Sequence, residues 1–304
     1  MPLPSNNASA EPSRRIITVP AALDLAGTVR GAKDPVMVGP TETLWATRTP
    51  DGPGSLALNR VAGDRVEAMA WGPGAGWLLN QAPRLLGHDD NPADFRPEGA
   101  LGELWRRNRF LLARTDRLWD ALVGAILGQR VQIANAVRAR RLLARKFGQA
   151  APGPREAWLL PAPERVAEMG YHQFHPLKVE KKRADILIRV AREMPRLERR
   201  GDLDTARMQA RLQQIRGVGP WTAAMVSAAA FGDPDAVPVG DYHLPNTVAW
   251  LLAGEPRAND NRMLELLEPY RGHRWRVIRL AKTKGAPRYG PKLSLTGDGL
   301  HLGR

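Results

Sequence analysis

The stretch that decides the fold is "IRGVGPWTAAMVSAAAFGDPDAVPVGDYHLPN", residues 215–246. It opens with Gly217-Val218-Gly219, and Pro220 follows where a helix would begin. Proline is favoured at the first helical position because its missing amide hydrogen would have no partner there anyway. Glycine permits positive φ and lets another backbone come close. We therefore predict a tight turn between two helices, with the first amides of the second helix pointing outward.

Such a turn is suited to binding an anion. The free amides and the positive dipole end of the second helix attract negative charge. Two helices joined in this way can contact a nucleic-acid phosphate without reading a base. On this motif alone the alternative is an ordinary corner between two helices, because Gly-x-Gly before a helix is common.

The second feature of the stretch is a lone aspartate. Asp241 follows the apolar segment "AVPVG" and lies 22 residues after Gly219. A carboxylate on an apolar segment is expected to be partly removed from water, which increases its electrostatic reach. It could then stabilise a cation that forms transiently in a substrate. The alternative is a helix N-cap at the start of "DYHLPN", and the two roles are compatible.

The charge of the chain is unevenly distributed. Residues 1–100 hold 9 basic and 11 acidic residues out of 45 and 31 in the whole chain, so the net charge of +14 arises in residues 101–304. This asymmetry favours a polyanion partner such as nucleic acid for the later part. A solvated basic surface is the alternative.

Composition excludes several classes of protein. The chain has no cysteine, which excludes disulfides, thiolate zinc sites and iron–sulfur clusters and fits a cytoplasmic protein. No run of 18 uncharged apolar residues is present, so we predict no membrane span. The first residues lack the apolar segment of a secretory signal, and residues 1–14 are predicted to be a disordered arm.

The remaining pattern predicts an α+β fold. A sheet domain is expected over residues 15–97, because residues 43–71 read as three strands separated by Pro-Asp-Gly and Gly-Asp turns. An all-helical region is expected over residues 98–282, followed by a flexible basic tail at 283–304. In the first long helical segment, after residue 114, Thr115 or Asp116 suits the N-cap and Gly148 the C-terminal stop.

Two segments together resemble a known family. "LQQIRGVGPWTA" (212–223) followed by "VPVGDY" (237–242) resembles the helix–hairpin–helix and Gly/Pro-Asp signature of the HhH-GPD DNA glycosylase superfamily. "AILGQRVQIANAVRARRLL" (125–143) is similar to a helix start of its alkylation-repair branch, the 3-methyladenine DNA glycosylase II type. The resemblance covers roughly residues 100–282. The N-terminal strands resemble the sheet domain of that type more weakly.

The resemblance implies a mechanism. The enzyme would flip an alkylated purine of the 3-methyladenine or 7-methylguanine type out of duplex DNA, release it hydrolytically and leave an abasic site. Asp241 would be the catalytic carboxylate that stabilises the oxocarbenium-like sugar and positions water. Bifunctional relatives carry a lysine two residues after the second hairpin glycine. Here that residue is Trp221, and no lysine lies between Lys182 and Lys282, so we predict no lyase activity.

The resemblance also implies roles for other side chains. The base pocket would contain four residues: Trp221, Tyr242, Tyr270 and Met225, the last at a position where the best-known member has tyrosine. Core packing is the alternative for the aromatic residues. Arg130 occupies the position of the side chain that fills the gap left by the flipped base, and a plain surface arginine is the alternative. DNA contacts are expected from Gln129, Arg130, Gly217, Val218, Gly219 and Thr222.

The resemblance also implies which cofactors and partners to expect. Carbonyls of Gln213, Ile215 and Val218 would hold a structural Na⁺ or K⁺ that bridges to a DNA phosphate, with no cofactor for catalysis and no iron–sulfur cluster. We expect damaged double-stranded DNA as partner, a monomer, no membrane, and a location at the bacterial nucleoid. The alternatives are a glycosylase for hypoxanthine, an etheno adduct or an oxidised base, and a non-catalytic lesion-binding protein. A pure binder has no need of a carboxylate near the DNA backbone.

Overall fold

The structure is a computed structural model that describes residues 11–30, 37–38, 42–199, 204–285, 294–296 and 299–301. It has the predicted α+β class. The strands are β1 Ser13–Thr18, β2 Met37–Val38, β3 Glu42–Thr49, β4 Gly52–Ala62, β5 Arg65–Trp71, β6 Gln149–Ala150, β7 Trp158–Leu159, β8 Ser294–Thr296 and β9 Gly299–His301.

The helices follow mainly after the first sheet. They are α1 Leu25–Arg30, α2 Ala75–Leu85, α3 Gly99–Arg107, α4 Leu118–Leu127, α5 Ile133–Phe147, α6 Pro163–Ala167, α7 Tyr171–Phe174, α8 Lys181–Glu198, α9 Thr205–Gln213, α10 Pro220–Phe231, α11 Leu244–Ala253, α12 Asp260–Leu267 and α13 Arg274–Lys284, with short 3₁₀ helices at His175–Leu177 and Glu268–Tyr270. None of the described helices is both long and apolar enough to cross a membrane.

The N-terminal sheet is antiparallel, with the strand order β1-β5-β4-β3-β2. Short turns join β3 to β4 and β4 to β5, so the three predicted strands and both turns are confirmed. Alternate residues of β4 and β5 face α2, where Leu56 and Leu58 pack with Leu78 and Leu85 in one apolar core. The burial of this apolar face stabilises the sheet.

The helical region has its own core, and α10 lies at its centre. Residues 222–230 of α10 are all buried, and most of them are alanine. Small side chains let neighbouring helices approach closely, and α10 contacts both α4 and α9. The position of the helix that follows the glycine turn is therefore fixed by packing on all sides.

Buried polar bonds connect the sheet to the helices. Thr47 of β3 donates to the Asp120 carboxylate of α4 at 2.5 Å. Arg276 of α13 is fully buried and bonds both oxygens of Asp90, at 2.6 and 2.8 Å. Phe95 belongs to the helical core, so residues just before the predicted boundary at residue 97 already pack with the helices.

Several predicted boundaries differ from the structure. The long helical segment is two helices, α4 and α5, separated by residues 128–132. Its N-cap is Arg117, and neither Thr115 nor Asp116 caps the helix as predicted. Asp116 has φ +51°, and the Thr115 hydroxyl donates to the Ala229 carbonyl. Gly148 is the C-cap of α5, as predicted.

The predicted ends of the chain are described only in part. β1 begins at Ser13, inside the predicted arm, while residues 1–10 lie outside the described residues. α13 continues to Lys284, and the short strands β8 and β9 pair within the predicted tail. The rest of that tail, including residues 286–293, lies outside the described residues.

Candidate active site

The glycine turn forms the predicted hairpin between α9 and α10. Gly217 has φ +100°, and a Cβ at this position would lie 2.5 Å from Cγ1 of Ile186. Only glycine avoids both the left-handed strain and this clash. The Val218 amide donates to the Ile215 carbonyl at 2.9 Å, and both side chains are buried. The turn is therefore stabilised by an internal hydrogen bond and by buried side chains.

Gly219 differs from Gly217. Its φ is −94° and its ψ is −178°, which is extended backbone, so this glycine does not use the positive φ that its residue type permits. No protein atom lies within 4 Å of the position that a Cβ would take. Nothing within the described fold requires glycine here. The open space lies directly before the first amides of α10.

Gln129 connects the hairpin to the turn between α4 and α5. Its side-chain amide donates to the Gly217 carbonyl at 3.1 Å and to the Thr222 hydroxyl at 2.9 Å. Arg183 fixes the same turn from below by donating to the Leu127 carbonyl at 2.9 Å. The structure thus brings Gln129, Gly217 and Thr222 together. Thr222 is only 2% exposed, so its side chain lies beneath the surface of the turn, and its contact with DNA stays a prediction.

Arg130 stands next to this contact. Its side chain is exposed and its φ is +54°. A residue with a Cβ is uncommon in the left-handed region. Ile133, the first residue of α5, is 82% exposed, although an isoleucine is usually buried. A cation and an unburied aliphatic side chain therefore lie side by side near the hairpin.

Asp241 is held by three hydrogen bonds. One carboxylate oxygen accepts from the backbone amides of His243 and Leu244, at 2.9 and 3.1 Å. The other accepts from the indole Nε1 of Trp221, at 2.9 Å. The first pair of bonds agrees with the predicted contact to the first amides of the helix, but the N-cap of α11 is His243, so Asp241 lies two residues before the cap position. The third bond ties the aspartate to the first turn of α10.

The surroundings keep Asp241 ionised. Burial raises the pKa of this carboxyl, but the bonds from Trp221, His243 and Leu244 and the charge of Lys282 lower it. The lowering effects win, and the pKa lies below its ordinary value. Hydrogen bonds to the charged form have this effect. At neutral pH the site therefore presents a fixed, half-buried negative charge.

Two of the predicted pocket residues lie along α10. The Trp221 ring is partly exposed, and its Cη2 would be 3.7 Å from a Cβ on Gly128. The indole therefore reaches from Asp241 to the turn that carries Gln129. Met225, one helical turn further on, is buried in the helical core. Its role as a wall of the base pocket stays a prediction.

The two tyrosines lie elsewhere. Tyr242 is 86% exposed, and its ring meets the His243 imidazole edge-on at 4.8 Å. Tyr270 packs against Phe95 and borders a cavity of about 400 Å³ whose walls include neither Asp241 nor Trp221. The structure places Tyr242 beside the aspartate, at the surface, and does not bring Tyr270 to it. Their pocket roles stay predictions.

One charged residue near Asp241 was not predicted. The charge of Lys282 of α13 contributes to the lowered pKa of Asp241. The two residues are far apart in sequence, and the packing of α13 against α11 brings them together. Sequence patterns could not identify it, because "RLAKTK" reads as an ordinary basic helix end.

The hairpin carbonyls suit a cation of low charge. Gln213 ends α9, and Ile215 and Val218 lie in the turn. Ile215 uses one lone pair for the Val218 amide and keeps one for another ligand. Neutral oxygen donors of this kind fit a hard cation. Among the described residues, no group of three or more His, Cys, Asp or Glu side chains could hold a metal ion.

Known proteins are similar to the part of the chain that carries this site. Residues 123–271 match the model of the HhH-GPD superfamily of base excision DNA repair proteins. This segment belongs to the HhH-GPD superfamily. The matched segment includes Gln129, the hairpin and Asp241, so the residues that carry the site lie inside the HhH-GPD region.

One curated relative of this chain is the DNA-3-methyladenine glycosylase of Bacillus subtilis (strain 168). It is 26% identical over 177 residues, which cover 53% of this chain and 57% of the relative. The match therefore spans little more than half the length of the relative.

Solved structures show that the fold likeness extends over more of the chain. The 3-methyladenine DNA glycosylase from Archaeoglobus fulgidus aligns with a TM-score of 0.74 over 88% of this chain and 97% of its own, at 16% identity. The 8-oxoguanine glycosylase/lyase from Clostridium acetobutylicum aligns with a TM-score of 0.62 over 82% and 98%, at 12% identity. At these identities the likeness is one of fold.

Proposed function

We propose that this chain is a monofunctional DNA glycosylase of base excision repair. It flips an alkylated purine of the 3-methyladenine or 7-methylguanine type out of duplex DNA, hydrolyses the glycosidic bond and leaves an abasic site. The observation that carries the proposal is the ionised Asp241 carboxylate, held by three donors beside a hairpin suited to phosphate. The name of the Bacillus relative supports the substrate class.

The chemistry of an alkylated purine matches a site with one anion. Such a base already carries a positive charge, so it leaves as a neutral molecule without a general acid. The positive charge passes to the sugar as the bond breaks. Asp241 stabilises that charge and helps to position the attacking water. Its three hydrogen bonds prevent the carboxylate from turning away, so little reorganisation is needed at the moment of reaction.

The DNA backbone is proposed to lie across the hairpin. Amides of Gly217 and Gly219 and the first turn of α10 offer donors and a positive dipole end to a phosphate. A Na⁺ or K⁺ held by the carbonyls of Gln213, Ile215 and Val218 would add a structural positive charge at the same place. The net charge of +14 favours this association.

Arg130 and Ile133 are proposed to enter the duplex from the neighbouring turn. Inserted side chains of glycosylase-like proteins fill the space of the extruded base and separate neighbouring base pairs. A guanidinium can stack on a base and reach a phosphate. The exposed Ile133 offers an apolar surface beside it. Gln129 keeps this turn in a fixed position relative to the hairpin.

Absence of lyase activity is part of the proposal. Trp221 occupies the position that carries the Schiff-base lysine in bifunctional members, and its indole is bonded to Asp241. Borohydride reduction during turnover should therefore give no covalent protein–DNA adduct. An adduct would contradict the monofunctional assignment. The protein is further proposed to act on double-stranded DNA as a monomer.

The experiment that tests the function is base release from methylated duplex DNA. The parent should liberate 3-methyladenine or 7-methylguanine and leave sites that alkali cleaves. Asp241→Asn should release no base. Its matched control is Asp204→Asn, because Asp204 also bonds the first amides of a helix, by accepting from the Arg207 amide at 2.7 Å, but lies outside the site. If the parent binds DNA but releases no base, the lesion-binding alternative replaces the proposal.

A further inference from the structure

One row of α8 residues contacts both turns that are proposed to face DNA. Arg183, Ile186 and Arg189 follow one another at intervals of three along this helix, so they lie on neighbouring parts of its surface. Arg183 bonds the carbonyl at the end of α4. Ile186 lies against Gly217, and the Arg189 guanidinium donates to the Arg216 carbonyl at 2.5 Å. The same helix therefore holds the turn after α4 and the hairpin.

Arg189 differs from two other cations of α8 in what it bonds. Lys181 and Arg196 pair with carboxylates of their own helix, those of Asp185 and Glu193. Arg189 instead reaches the main chain of the hairpin. A hydrogen bond from a charged donor is stronger than one from a neutral donor. Because the acceptor is a neutral carbonyl, the bond also leaves the positive charge of the guanidinium beside the hairpin.

The bonded carbonyl belongs to the same peptide group as the Gly217 amide. A trans peptide group is planar, and its C=O and N–H bonds point in opposite directions. With the Arg216 carbonyl held by Arg189, the Gly217 N–H is directed away from the guanidinium. Among the described residues no backbone acceptor is bonded to this amide. The Gly217 amide is therefore a donor that remains for a DNA phosphate.

We infer that Arg189 is a positioning residue for DNA binding at the hairpin. It fixes the peptide group between Arg216 and Gly217 so that the Gly217 amide faces the phosphate. Its charge also polarises that group, which makes the amide a stronger donor. The inference rests on the proposed function and adds a residue outside the hairpin to its DNA-binding machinery. The Arg216 carbonyl is not one of the three carbonyls proposed for Na⁺ or K⁺, so the two cations do not compete for an oxygen.

The test measures binding to a duplex that contains an abasic-site analogue, from which no base can be released. Arg189→Gln should raise the dissociation constant roughly fivefold, about the worth of one hydrogen bond. Arg189→Lys keeps a charged donor and should recover most of the affinity. Arg192→Gln is the matched control, because Arg192 also lies on α8 and donates to a main-chain carbonyl, that of Ala167. It removes the same charge and should bind nearly as tightly as the parent.

A second measurement shows whether the loss of affinity arises at one phosphate. One phosphate at a time beside the abasic-site analogue is replaced by an uncharged methylphosphonate. At one position this replacement should weaken the parent more than Arg189→Gln, because the variant has already lost part of that contact. Arg192→Gln should follow the parent at every position. A variant that had only lost part of its fold would bind every duplex more weakly by the same factor, which would overturn the inference.

The outcomes separate this inference from the proposed function. Unchanged affinity in Arg189→Gln overturns the inference and leaves the glycosylase proposal standing. The slope of log affinity against log salt should be the same for Arg189→Gln and Arg192→Gln. A slope smaller by about 0.9 in Arg189→Gln alone would show a direct contact with phosphate and would overturn the positioning role. A parent that does not bind the duplex overturns both proposals, and base release by the same preparations tests the glycosylase proposal separately.

Discussion

The indole nitrogen of Trp221 donates a hydrogen bond of 2.9 Å to the carboxylate of Asp241. Trp221 is the second residue of α10, and Asp241 precedes α11. The bond therefore links the helix that follows the phosphate-suited hairpin to the proposed catalytic charge. The proposed contact with DNA at the hairpin and the proposed stabilisation of the sugar cation are therefore connected through this one side chain.

Replacement of Trp221 by phenylalanine tests that link. The Trp221 bond lowers the pKa of Asp241, so Trp221→Phe should raise it. Because the ionised form is proposed to be active, the acid limb of the pH–rate profile should move to higher pH. Base release at neutral pH should fall roughly tenfold through loss of one donor and of the fixed carboxylate orientation. The control Trp158→Phe, on strand β7, should change neither the rate of base release nor the acid limb of the pH–rate profile. If the acid limb of Trp221→Phe stays where it is in the parent, the account is contradicted.

Asp241 also couples stability to pH. Its pKa in the folded protein lies below the ordinary value, because the hydrogen bonds and Lys282 outweigh burial. Its contribution to stability is therefore present above the ordinary pKa of aspartate, near 4, and is lost as pH falls through the lower folded value. The free energy of unfolding, measured with urea, should fall more for the parent than for Asp241→Asn as the pH drops below 4. Equal acid sensitivity of the two proteins would show that the carboxylate is not stabilised as described.

The two hairpin glycines should respond differently to alanine. Gly217→Ala forces a side chain into φ +100° and against Ile186, so it should destabilise the protein by about 2 kcal/mol or more. Gly219→Ala meets open space and an extended backbone, so its free energy of unfolding should stay close to that of the parent. Its methyl group would instead meet the DNA backbone, and the dissociation constant for duplex DNA should rise. Equal DNA affinity of Gly219→Ala and the parent would contradict the proposed path of the backbone.

Arg130 allows stability and function to be separated. Arg130→Gly removes a left-handed strain of about 1 kcal/mol, partly offset by the greater freedom of glycine in the unfolded chain. Arg130→Ala keeps the strain and removes the same guanidinium. We expect the glycine variant to be at least as stable as the alanine variant, and both to lose base release to the same extent. Full activity in either variant would remove Arg130 from the proposed wedge.

Gln129 is expected to align the two turns that are proposed to face DNA. Gln129→Ala removes both side-chain bonds, to Gly217 and Thr222, and leaves the buried Thr222 hydroxyl without that donor. A cost of about 1–2 kcal/mol in stability is expected, together with weaker binding to duplex DNA. Thr222→Val breaks one of the two bonds and should show a smaller loss of affinity. Unaltered affinity in Gln129→Ala would show that the turn is positioned by other contacts.

Local features of the sequence predicted much of the fold and part of the site. The strands β3 to β5 were readable because their turns contain Pro, Gly and Asp. The hairpin could be predicted because Gly217 and Pro220 have local conformational requirements. The contact of Asp241 with the start of α11 depends on amides two and three residues away. Each of these features is decided within a few residues.

Features that depend on tertiary contacts were missed. The break between α4 and α5 carries no proline, and it is fixed by Gln129 bonds to residues about ninety positions later. The Trp221–Asp241 bond and the placement of Lys282 follow from how α10, α11 and α13 pack. Tyr270 suited a base pocket as an aromatic residue, but packing with Phe95 holds it beside another cavity.

The central claim is tested most directly by the Asp241→Asn variant in single-turnover base release, with duplex binding measured on the same preparations. The asparagine oxygen can still accept from the amides that open α11, so the fold should be kept. The negative charge is lost, and so is the bond from Trp221, because the amide nitrogen cannot accept a hydrogen bond. The account predicts a loss in rate of roughly a hundredfold or more, with DNA affinity equal to or higher than that of the parent. Release at the parental rate by a variant that binds DNA normally would contradict it.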